Sequence, residues 1–352
     1  MRKLKPKYLV LMEKLREDIE NGVYVVGEKL PTENELSKAM NMSRQTVRQA
    51  LSLLERKGFI EKRQGSGTTV RASRTPRKRT GTIAVITTYI GEYIFPDMLR
   101  GIDSVLCKNN ASPLLFATYN RIDNERRILM DLGRKEVDGL IVEGTKTALP
   151  NPNINLYRNL YNAGLPIVFI HGFYPEFSEW VHIVADDHAG GMQAVKYLHL
   201  KGRKNICGIF KSDDMQGLRR YSGFIEQLQK LKLPFNDDRV LWFSTESREQ
   251  TIASGLLRII NGCDALVCYN DEIALQVIEL LGKNNIQIPK KLAVISFDNS
   301  SISELSPIKI TSFANDEFLL GQLAAKKLMS LLDGAQENSV VSHWELVEKD
   351  ST

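Results

Sequence analysis

The first sixty residues show the apolar spacing of short amphipathic helices. Leu11, Leu15 and Ile19 recur every four residues among charged side chains, which is the period of one helix face. We therefore predict a helix over residues 8–21, ended by the Asn-Gly pair that follows its last apolar position.

Two further helices follow, and each has a polar residue suited to its amino terminus. Thr32 and Glu35 have the spacing of a capping box, so we expect a helix to begin there and to run to Met40. Ser43 can cap a third helix over residues 44–57, whose apolar positions again repeat with helical spacing.

After the third helix the pattern changes to that of a hairpin. Residues 59–63 form a strand-like run, residues 64–67 a glycine-rich turn, and residues 68–70 a second strand. Three helices and a hairpin define a winged helix-turn-helix domain of α+β class, which we assign to residues 1–71. Residues 72–81 are basic and nearly free of apolar side chains, so we expect a linker.

The remaining residues, 82–352, alternate between short apolar runs and amphipathic segments. Near-continuous apolar strands that alternate with helices indicate parallel sheets covered on both faces. Because this part is too long for one open sheet, we predict an α/β body of two lobes with a cleft between them. The apolar runs are residues 82–87, 114–117, 137–142, 166–170, 206–210, 265–269 and 292–297.

The net charge of +5 conceals opposite charges on the two parts. Residues 1–80 hold 19 Lys and Arg and 9 Asp and Glu, a charge of +10, which leaves −5 for the rest of the chain. A basic head on an acidic body predicts a polyanionic partner for the head alone. The sequence has no signal peptide and no apolar stretch of membrane-spanning length, so we expect a cytoplasmic protein with no membrane partner.

In a helix-turn-helix the second helix of the motif lies in the major groove, and its first residues meet the bases. Here Arg44 and Arg48 share one helix face and can donate two hydrogen bonds to guanine, whereas Gln45 can pair with adenine. A solvated helix face explains each residue alone, but the helices, hairpin and charge together favour double-stranded DNA as the partner. The residues we expect at DNA are Thr32, Glu33, Ser43, Arg44, Gln45, Thr46, Arg48, Gln64, Gly65, Ser66, Gly67 and Thr68.

The body lacks the motifs of common catalytic sites. It contains no P-loop, no GxGxxG after a strand, no GxSxG and no HExxH. None of the five histidines has metal-ligand spacing, and the four cysteines, which we expect in the core, form no CxxC pair. We therefore predict no enzyme activity, no metal and no cofactor. An enzyme fused to a DNA-binding head is kept as an alternative.

Polar and aromatic residues cluster where the predicted parallel strands end, which is where such sheets bind ligands. Carboxylates and amides suit sugar hydroxyls, arginine suits a ring oxygen, and aromatic rings suit C–H faces. Asp186 and Asp187 compete for this role with capping of the helix expected from Ala189, so which of them faces the cleft stays open. The strand-end residues we expect to bind ligand are Tyr89, Tyr93, Glu143, His171, Asp187, Arg220, Asn270 and Asp298.

The head resembles the GntR family of winged repressors over residues 7–71. This resemblance implies that a homodimer binds a palindromic operator and that Arg44, Arg48 and the hairpin tip contact it. The motifs that carry it are Gly27–Leu36, Ser43–Leu51, Leu54–Gly58 and Gly65–Thr68.

The body resembles the effector domains of the LacI/GalR family and the periplasmic sugar-binding proteins over residues 82–352. This resemblance implies a two-lobed periplasmic-binding-protein-like fold with a sugar between the lobes, and it adds Asn315 to the expected ligand contacts. The family usually has Tyr-Asp-Asp where this chain has Phe297-Asp298-Asn299. The motifs that carry the resemblance are Pro96–Ile102, Val137–Ile141, Asp187–Gly191, Arg220–Phe224, Asn270–Ala274 and Glu345–Ser351.

A GntR-type head on a LacI/GalR-type body resembles the arabinose-responsive repressors. This pairing implies L-arabinose as the effector that releases the protein from DNA, and it adds Lys146 to the expected ligand contacts. Regulation by another sugar or small metabolite stays the alternative. The fragments that carry this resemblance are Thr87–Ile90, Tyr93–Pro96, Asn124–Arg127, Asp138–Glu143, Thr145–Lys146, Gly208–Lys211 and Asp213–Asp214.

Overall fold

The computed structural model describes residues 6–20, 23–25, 27–56, 59–63, 67–70 and 79–352. The chain divides into two compact units. One contains Met1–Thr82 together with Arg126–Gly139 and Asn153–Pro166, and the other contains the rest of the chain. In the described part, no helix combines the length and the apolar character needed to span a membrane.

The three predicted helices of the head are present, with ends within one residue of expectation. The predicted capping box forms: the backbone N–H of Glu35 donates to Thr32 Oγ1 at 3.3 Å, and that of Thr32 donates to Glu35 Oε2 at 2.7 Å. Ser43 Oγ likewise accepts from the backbone N–H of Thr46 at 3.2 Å. The helices are α1 (Lys7–Glu20), α2 (Glu33–Ala39) and α3 (Arg44–Arg56).

The predicted hairpin follows as two antiparallel strands, β1 (Ile60–Arg63) and β2 (Gly67–Val70). Its turn, residues 64–66, and linker residues 71–78 lie outside the described residues. One apolar core joins the helices to the hairpin, which fixes the hairpin beside α3. The buried side chains include Leu11, Leu15, Leu36, Val47, Leu51, Leu54, Phe59, Ile60 and Val70.

The body alternates strands with helices, as its apolar runs predicted. In chain order the strands are β3 (Thr82–Thr87), β4 (Ser112–Ala117), β5 (Gly139–Val142), β6 (Ile167–Ile170), β7 (His182–Ala185), β8 (Ile206–Lys211), β9 (Val240–Phe243), β10 (Ala265–Cys268), β11 (Ala293–Asp298), β12 (Thr311–Ala314), β13 (Val340–Ser342) and β14 (Glu345–Val347). The helices are α4 (Phe95–Leu106), α5 (Ile122–Leu132), α6 (Ile154–Asn162), α7 (Asp187–Leu200), α8 (Met215–Lys230), α9 (Arg248–Ile259), α10 (Asp271–Lys283), α11 (Ser301–Leu305) and α12 (Glu317–Leu332).

These strands form two six-stranded sheets. The first has the order β13-β7-β6-β5-β3-β4, and the second has the order β14-β12-β11-β10-β8-β9. Strands β13, β7, β6 and β5 are mutually parallel, and so are β9, β8, β10, β11 and β12. Strand β14 pairs antiparallel with β12 and departs from the predicted parallel pattern.

The chain passes between the two sheets three times: from β7 into α7, from β12 into α12, and from β13 to β14. Helix α12 packs against β6, β7 and α4, whereas α7 to α10 pack against strands of the second sheet. We call the first sheet with α4 and α12 the amino-terminal lobe. The second sheet with α7 to α10 is the carboxy-terminal lobe.

Glycines allow one pair of helices to cross closely in each lobe. A Cβ on Gly191 of α7 would lie 2.0 Å from the backbone oxygen of Arg220, and one on Gly223 of α8 would lie 1.9 Å from a backbone oxygen of α7. In the amino-terminal lobe, Gly101 of α4 and Gly321 of α12 face backbone oxygens at 2.1 Å in the same way. Because only glycine lacks a Cβ, these positions fix how closely the helices pack.

One cysteine departs from the expected core position. Cys207, Cys263 and Cys268 are buried, but Cys107 is exposed. The apolar run before Cys107 belongs to the end of α4, where Leu106 is fully buried and the next residue turns outward. The prediction for Cys107 was wrong because the inward face of the helix ends one residue earlier.

Candidate functional site

The exposed face of α3 begins with the residues predicted to read DNA. Arg44 and Gln45 are exposed, whereas Val47 and Leu51 are buried in the core of the head. The helix thus divides between core and solvent as its periodicity requires. In the described part of the chain no ion pair or hydrogen bond occupies the Arg44 guanidinium, which leaves its planar set of donors available to a partner.

Glu33 holds two cations of the same surface. Its Oε2 lies 3.2 Å from Arg48 Nη2, and its Oε1 lies 3.2 Å from Lys62 Nζ. Partial burial by itself would raise the pKa of Glu33, but the hydrogen bonds from Arg48 and Lys62 outweigh it, so the pKa is lowered. The carboxylate therefore joins α2, α3 and β1 and orients Arg48.

The other residues predicted to contact DNA either bond to neighbours within the head or lie outside the described residues. Thr32 and Ser43 cap helices, and the Ser43 hydroxyl lies 2.8 Å from that of Thr46. Gly67 and Thr68 begin β2, and Gly67 is exposed. Three predicted residues lie outside the described part of the chain: Gln64, Gly65 and Ser66.

A cavity of about 400 Å³ lies between the two lobes of the body. Sites for small molecules have volumes of roughly 300–1,000 Å³. Its lining includes residues that follow β3, β5 and β6 in one lobe and β8 to β11 in the other, as expected for ligands of parallel sheets. Six residues predicted to bind ligand line it: Tyr89, Tyr93, Glu143, His171, Asn270 and Asp298.

Glu143 and His171 form a fixed, charged wall of this cavity. Glu143 Oε2 accepts from the backbone N–H of Thr88 at 2.6 Å, and its Oε1 lies 3.4 Å from His171 Nδ1. His171 Nε2 lies 2.7 Å from Glu317 Oε2. Burial opposes protonation, but Glu317 and Glu143 outweigh it and raise the pKa of His171 well above its usual value. The His171 ring thereby lies between the Glu143 and Glu317 carboxylates and helps to orient Glu143.

This environment predicts that His171 stabilises the fold in a pH-dependent way. Its folded-state pKa is raised above an unfolded value of about 6.5. The stabilisation is therefore fully present below the unfolded pKa and is lost as the pH rises through the raised folded-state pKa. We expect His171→Gln to lower the thermal midpoint most in mildly acidic buffer and progressively less as the pH rises. Melting curves over a pH series measure this, with exposed His343 replaced by Gln as the control. A deficit that is constant or grows with pH contradicts the prediction.

Asp298 presents a second carboxylate, from the carboxy-terminal lobe. The Tyr93 hydroxyl donates to Asp298 Oδ2 at 2.6 Å, and Arg220 Nη2 lies 3.4 Å from Oδ1. Asp298, Tyr93 and His171 have φ values of 91°, 59° and 62°. These values are costly for residues other than glycine and persist where surrounding contacts impose them. Backbone strain is thus concentrated at the cavity.

Arg220 and Asp187 are predicted ligand residues that do not line the cavity. The Arg220 side chain is 1% exposed and is enclosed by three aromatic rings. Its Nε donates to Asp187 Oδ1 at 2.8 Å, and its Nη1 donates to the Tyr269 carbonyl at 2.5 Å. Despite burial, Asp187 and Asp298 raise the pKa of Arg220 above its usual value. In this structure Arg220 therefore contacts the cavity lining through Asp298 and Tyr269 and is not itself part of it.

Lys146 and Asn315 are likewise outside the lining and have protein partners. Lys146 Nζ lies 2.5 Å from Glu246 Oε1, and Asn315 Nδ2 donates to Ser342 Oγ at 2.7 Å. Asp186 accepts from a backbone N–H of α7 at 3.0 Å and caps that helix. Neither Asp186 nor Asp187 therefore lines the cavity.

The sequence analysis missed part of the lining. Lys211 ends β8, Asp214 follows it, and the two side chains pair at 3.0 Å. The Tyr269 hydroxyl donates to the same Asp214 oxygen at 2.7 Å. The strand-end position that identified Asp298 also applies to Lys211, because it follows a predicted strand directly. Other lining residues that were not predicted include Thr88, Asn120, Thr245, Arg248 and Glu272.

The cavity lining carries more carboxylates than cations. Its seven Asp and Glu residues face two cationic side chains, Lys211 and Arg248, and the imidazole of His171, whose pKa is raised. A phosphorylated ligand would be repelled by this excess, whereas neutral hydroxyl groups can donate to it. Among the described residues no group of three or more His, Cys, Asp or Glu could hold a metal ion. The arrangement suits a neutral, hydroxyl-rich molecule.

Two family models match the chain. The model described as bacterial regulatory proteins, gntR family, matches residues 7–70, and that of a periplasmic binding protein-like domain matches residues 195–352. The resemblance of the head to the GntR family is thus confirmed. The fold and these matches define a bacterial transcription regulator with a DNA-binding head and a sensor domain of the periplasmic-binding type.

Two relatives match the chain over nearly its whole length. The arabinose metabolism transcriptional repressor of Halalkalibacterium halodurans is 34% identical over 99% of this chain and 97% of its own. That of Geobacillus stearothermophilus is 33% identical over 99% of this chain and 98% of its own. The chain belongs to the family of these arabinose metabolism transcriptional repressors. It is a sugar-responsive, DNA-binding repressor and not an enzyme.

The body also resembles solved regulators in fold. The crystal structure of transcription regulator CcpA of Lactococcus lactis superposes with a TM-score of 0.70 at 24% identity. The match covers 78% of this chain and all of that one. The predicted fold class, a winged helix-turn-helix with a two-lobed α/β body of LacI type, is confirmed.

Proposed function

We propose that this protein represses genes of arabinose utilisation and that L-arabinose is its effector. A homodimer would bind a palindromic operator, and L-arabinose in the cavity would release it without any cofactor. The supporting observation is the cavity itself, which collects fixed carboxylates, an amide and tyrosine rings at the strand ends. It occurs in a chain whose full-length relatives are arabinose metabolism repressors.

The cavity offers each kind of contact that a pentose needs. Glu143 and Asp298 would accept hydrogen bonds from sugar hydroxyls. Asn270 Oδ1 caps α10 by accepting from a backbone N–H at 3.1 Å, which leaves its amide NH₂ to donate to the sugar. Tyr89 and Tyr93 would contact its C–H groups.

In the head, Arg44, Gln45 and Arg48 would read bases, while capping residues and the hairpin would hold phosphates. A palindrome has two equal half-sites, which suits a two-fold symmetric dimer. Closure of the lobes on sugar would change the spacing or orientation of the heads. By linkage, sugar and operator would weaken each other equally, typically by about 5- to 150-fold.

We propose that the chain comprises a DNA-binding head of residues 1–71, a linker of residues 72–81 and a sugar-binding body of residues 82–352. Because a repressor must reach the chromosome, we propose that it acts in the cytoplasm. The linker would join the sensor to the DNA-reading part.

Mobility shifts with DNA from upstream of arabinose-utilisation genes test the proposal. We expect the full-length protein to shift this DNA, and L-arabinose, but not D-xylose, D-ribose or a pentose phosphate, to reverse the shift. Analytical ultracentrifugation should give a dimer. Release by another sugar in place of L-arabinose overturns the effector, and failure to bind the DNA overturns the target.

We expect Asp298→Ala to produce a repressor that binds the operator but no longer responds to sugar. A hydrogen bond to a charged acceptor contributes about 1.5–3 kcal/mol, so affinity for L-arabinose should fall about 10- to 150-fold. Calorimetry measures this loss, with exposed Glu279 of α10 replaced by Ala as the control. Wild-type affinity in Asp298→Ala refutes the role of Asp298.

A further inference from the structure

A cluster of polar contacts joins the two lobes at one side of the cavity. Its residues follow β4 and β5 in the amino-terminal lobe and β8 and β9 in the carboxy-terminal lobe. Strands β4 and β9 are the edge strands of their sheets, whereas the crossings between lobes leave from strands at or near the other edge. We call this cluster the interlobe clasp. Its members are Asn120, Lys146, Thr147, Asp213, Met215, Thr245 and Glu246.

Lys146 supplies the ion pair of the interlobe clasp. Its Nζ lies 2.5 Å from Glu246 Oε1 and 3.8 Å from Asp213 Oδ2. The Lys146 side chain is 16% exposed, so water and salt screen these attractions less than at an open surface. The hydrogen bond from Lys146 also lowers the pKa of Glu246. Each of these contacts crosses from one lobe to the other.

Asn120 joins the Asp213 carboxylate to the loop that carries Lys146. Its Nδ2 donates to Thr245 Oγ1 at 2.5 Å and to Asp213 Oδ2 at 3.3 Å. Its Oδ1 accepts from the backbone N–H of Lys146 at 2.9 Å. Because Asn120 is almost fully buried, separating the lobes would leave its amide and the Asp213 carboxylate without these partners.

The loops that carry the interlobe clasp have left-handed backbones. Asn120 and Lys146 have φ values of 52° and 47°. Asparagine adopts this region readily, but at Lys146 surrounding contacts must impose it. The next residue, Thr147, accepts through Oγ1 from the backbone N–H of Met215 at 3.0 Å. The strained loops and the contacts across the cleft therefore depend on each other.

We propose that Lys146 and Asn120 are positioning residues that hold the lobes closed and thereby set the affinity for the effector. The interlobe contacts exist only when the lobes are together, so they lower the free energy of the closed state. A ligand that binds the closed state gains affinity in proportion to the fraction of molecules that is already closed. The inference rests on the proposed function for the identity of the effector, whereas closure itself can be measured without any sugar.

Lys146→Met tests the proposal, because methionine keeps an unbranched chain and removes the charge. We expect affinity for L-arabinose to fall about two- to fivefold, as for a partly exposed ion pair. Exchanging the charges in a Lys146→Glu, Glu246→Lys double variant should restore only part of it, because the carboxylate introduced at position 146 lies beside Asp213. The control is Arg100→Met, which removes an exposed pair with Asp97 at 2.5 Å within α4 and should change nothing. Added salt should weaken binding to the wild type more than to Lys146→Met.

The sugar-free measurement uses spin labels on exposed Cys107 and on a Gln229→Cys substitution in α8 of the other lobe, since the remaining cysteines are buried. Without sugar we expect both a short and a long interlobe distance in the otherwise wild-type chain, and a larger share of the long distance with Lys146→Met. The proposal requires both changes: an affinity loss without longer distances, or longer distances with unchanged affinity, overturns it. If the wild type does not bind L-arabinose, the proposed effector is wrong. The interlobe distances still test whether the interlobe clasp holds the lobes together.

Discussion

An Arg44→Ala protein is expected to lose specific operator binding and to keep wild-type affinity for L-arabinose. Arg44 is exposed at the first turn of α3. A bidentate contact to guanine contributes about 1–3 kcal/mol, and a dimer on a palindrome makes it twice. The expected loss is therefore about 2–6 kcal/mol, or roughly 30-fold to more than 10,000-fold. Footprinting measures operator binding, and calorimetry measures sugar affinity.

Two variants separate base reading from charge and from general damage to α3. Gln49→Ala changes another exposed residue of the same helix and should stay within about twofold of the wild type. Arg44→Lys keeps the charge but loses the planar fork. It should bind non-specific DNA normally and still discriminate poorly. A normal footprint from Arg44→Ala removes α3 as the base-reading element.

The second large effect is expected from Gly191→Ala, which should destabilise the carboxy-terminal lobe. The new Cβ would lie 2.0 Å from the Arg220 carbonyl oxygen and 2.9 Å from the Phe224 backbone nitrogen. Because backbone cannot rotate away as a side chain can, α7 and α8 must separate. We expect a loss of about 3 kcal/mol or more in the free energy of unfolding. Urea unfolding monitored by circular dichroism measures it.

Gly282→Ala in α10 is the matched control. Nothing lies within 4 Å of the Cβ that it would add, so the substitution should stabilise the helix by about 0.5–1 kcal/mol. If Gly191→Ala unfolds like the wild type, the close crossing of α7 and α8 is not required for stability. Because Gly191→Ala would displace the backbone of Arg220, we also expect this variant to bind sugar more weakly.

The helices of the head could be predicted closely because their signals are local. The spacing of Thr32 from Glu35 and the cap at Ser43 act within one turn, and the structure contains both. The central strands of the body were also predictable, because strands covered on both faces are apolar throughout.

Strands β7, β9, β12, β13 and β14 were missed. In β12, Thr311 and Ser312 are fully buried although they are polar. Ser351 accepts from the Thr311 backbone, and Asp271 accepts from the Ser312 hydroxyl at 2.7 Å. These partners are distant in sequence, so no local sequence pattern indicates that residues 311–314 form a strand. Strands β13 and β14 have only three residues each and no fully buried position.

By itself the sequence determined a basic winged head, an α/β body with ligand residues at its strand ends, and the family. The head and the body follow from periodicity, capping and charge, which act between near neighbours, whereas the family follows from the resemblance of its motifs. Only the tertiary structure decided which polar residues reach the cavity. Arg220 is enclosed beside Asp187, and Lys146 pairs across the cleft with Glu246. Each acquires its place from a partner remote in the chain, because a buried charge must find a counter-charge wherever the fold brings one.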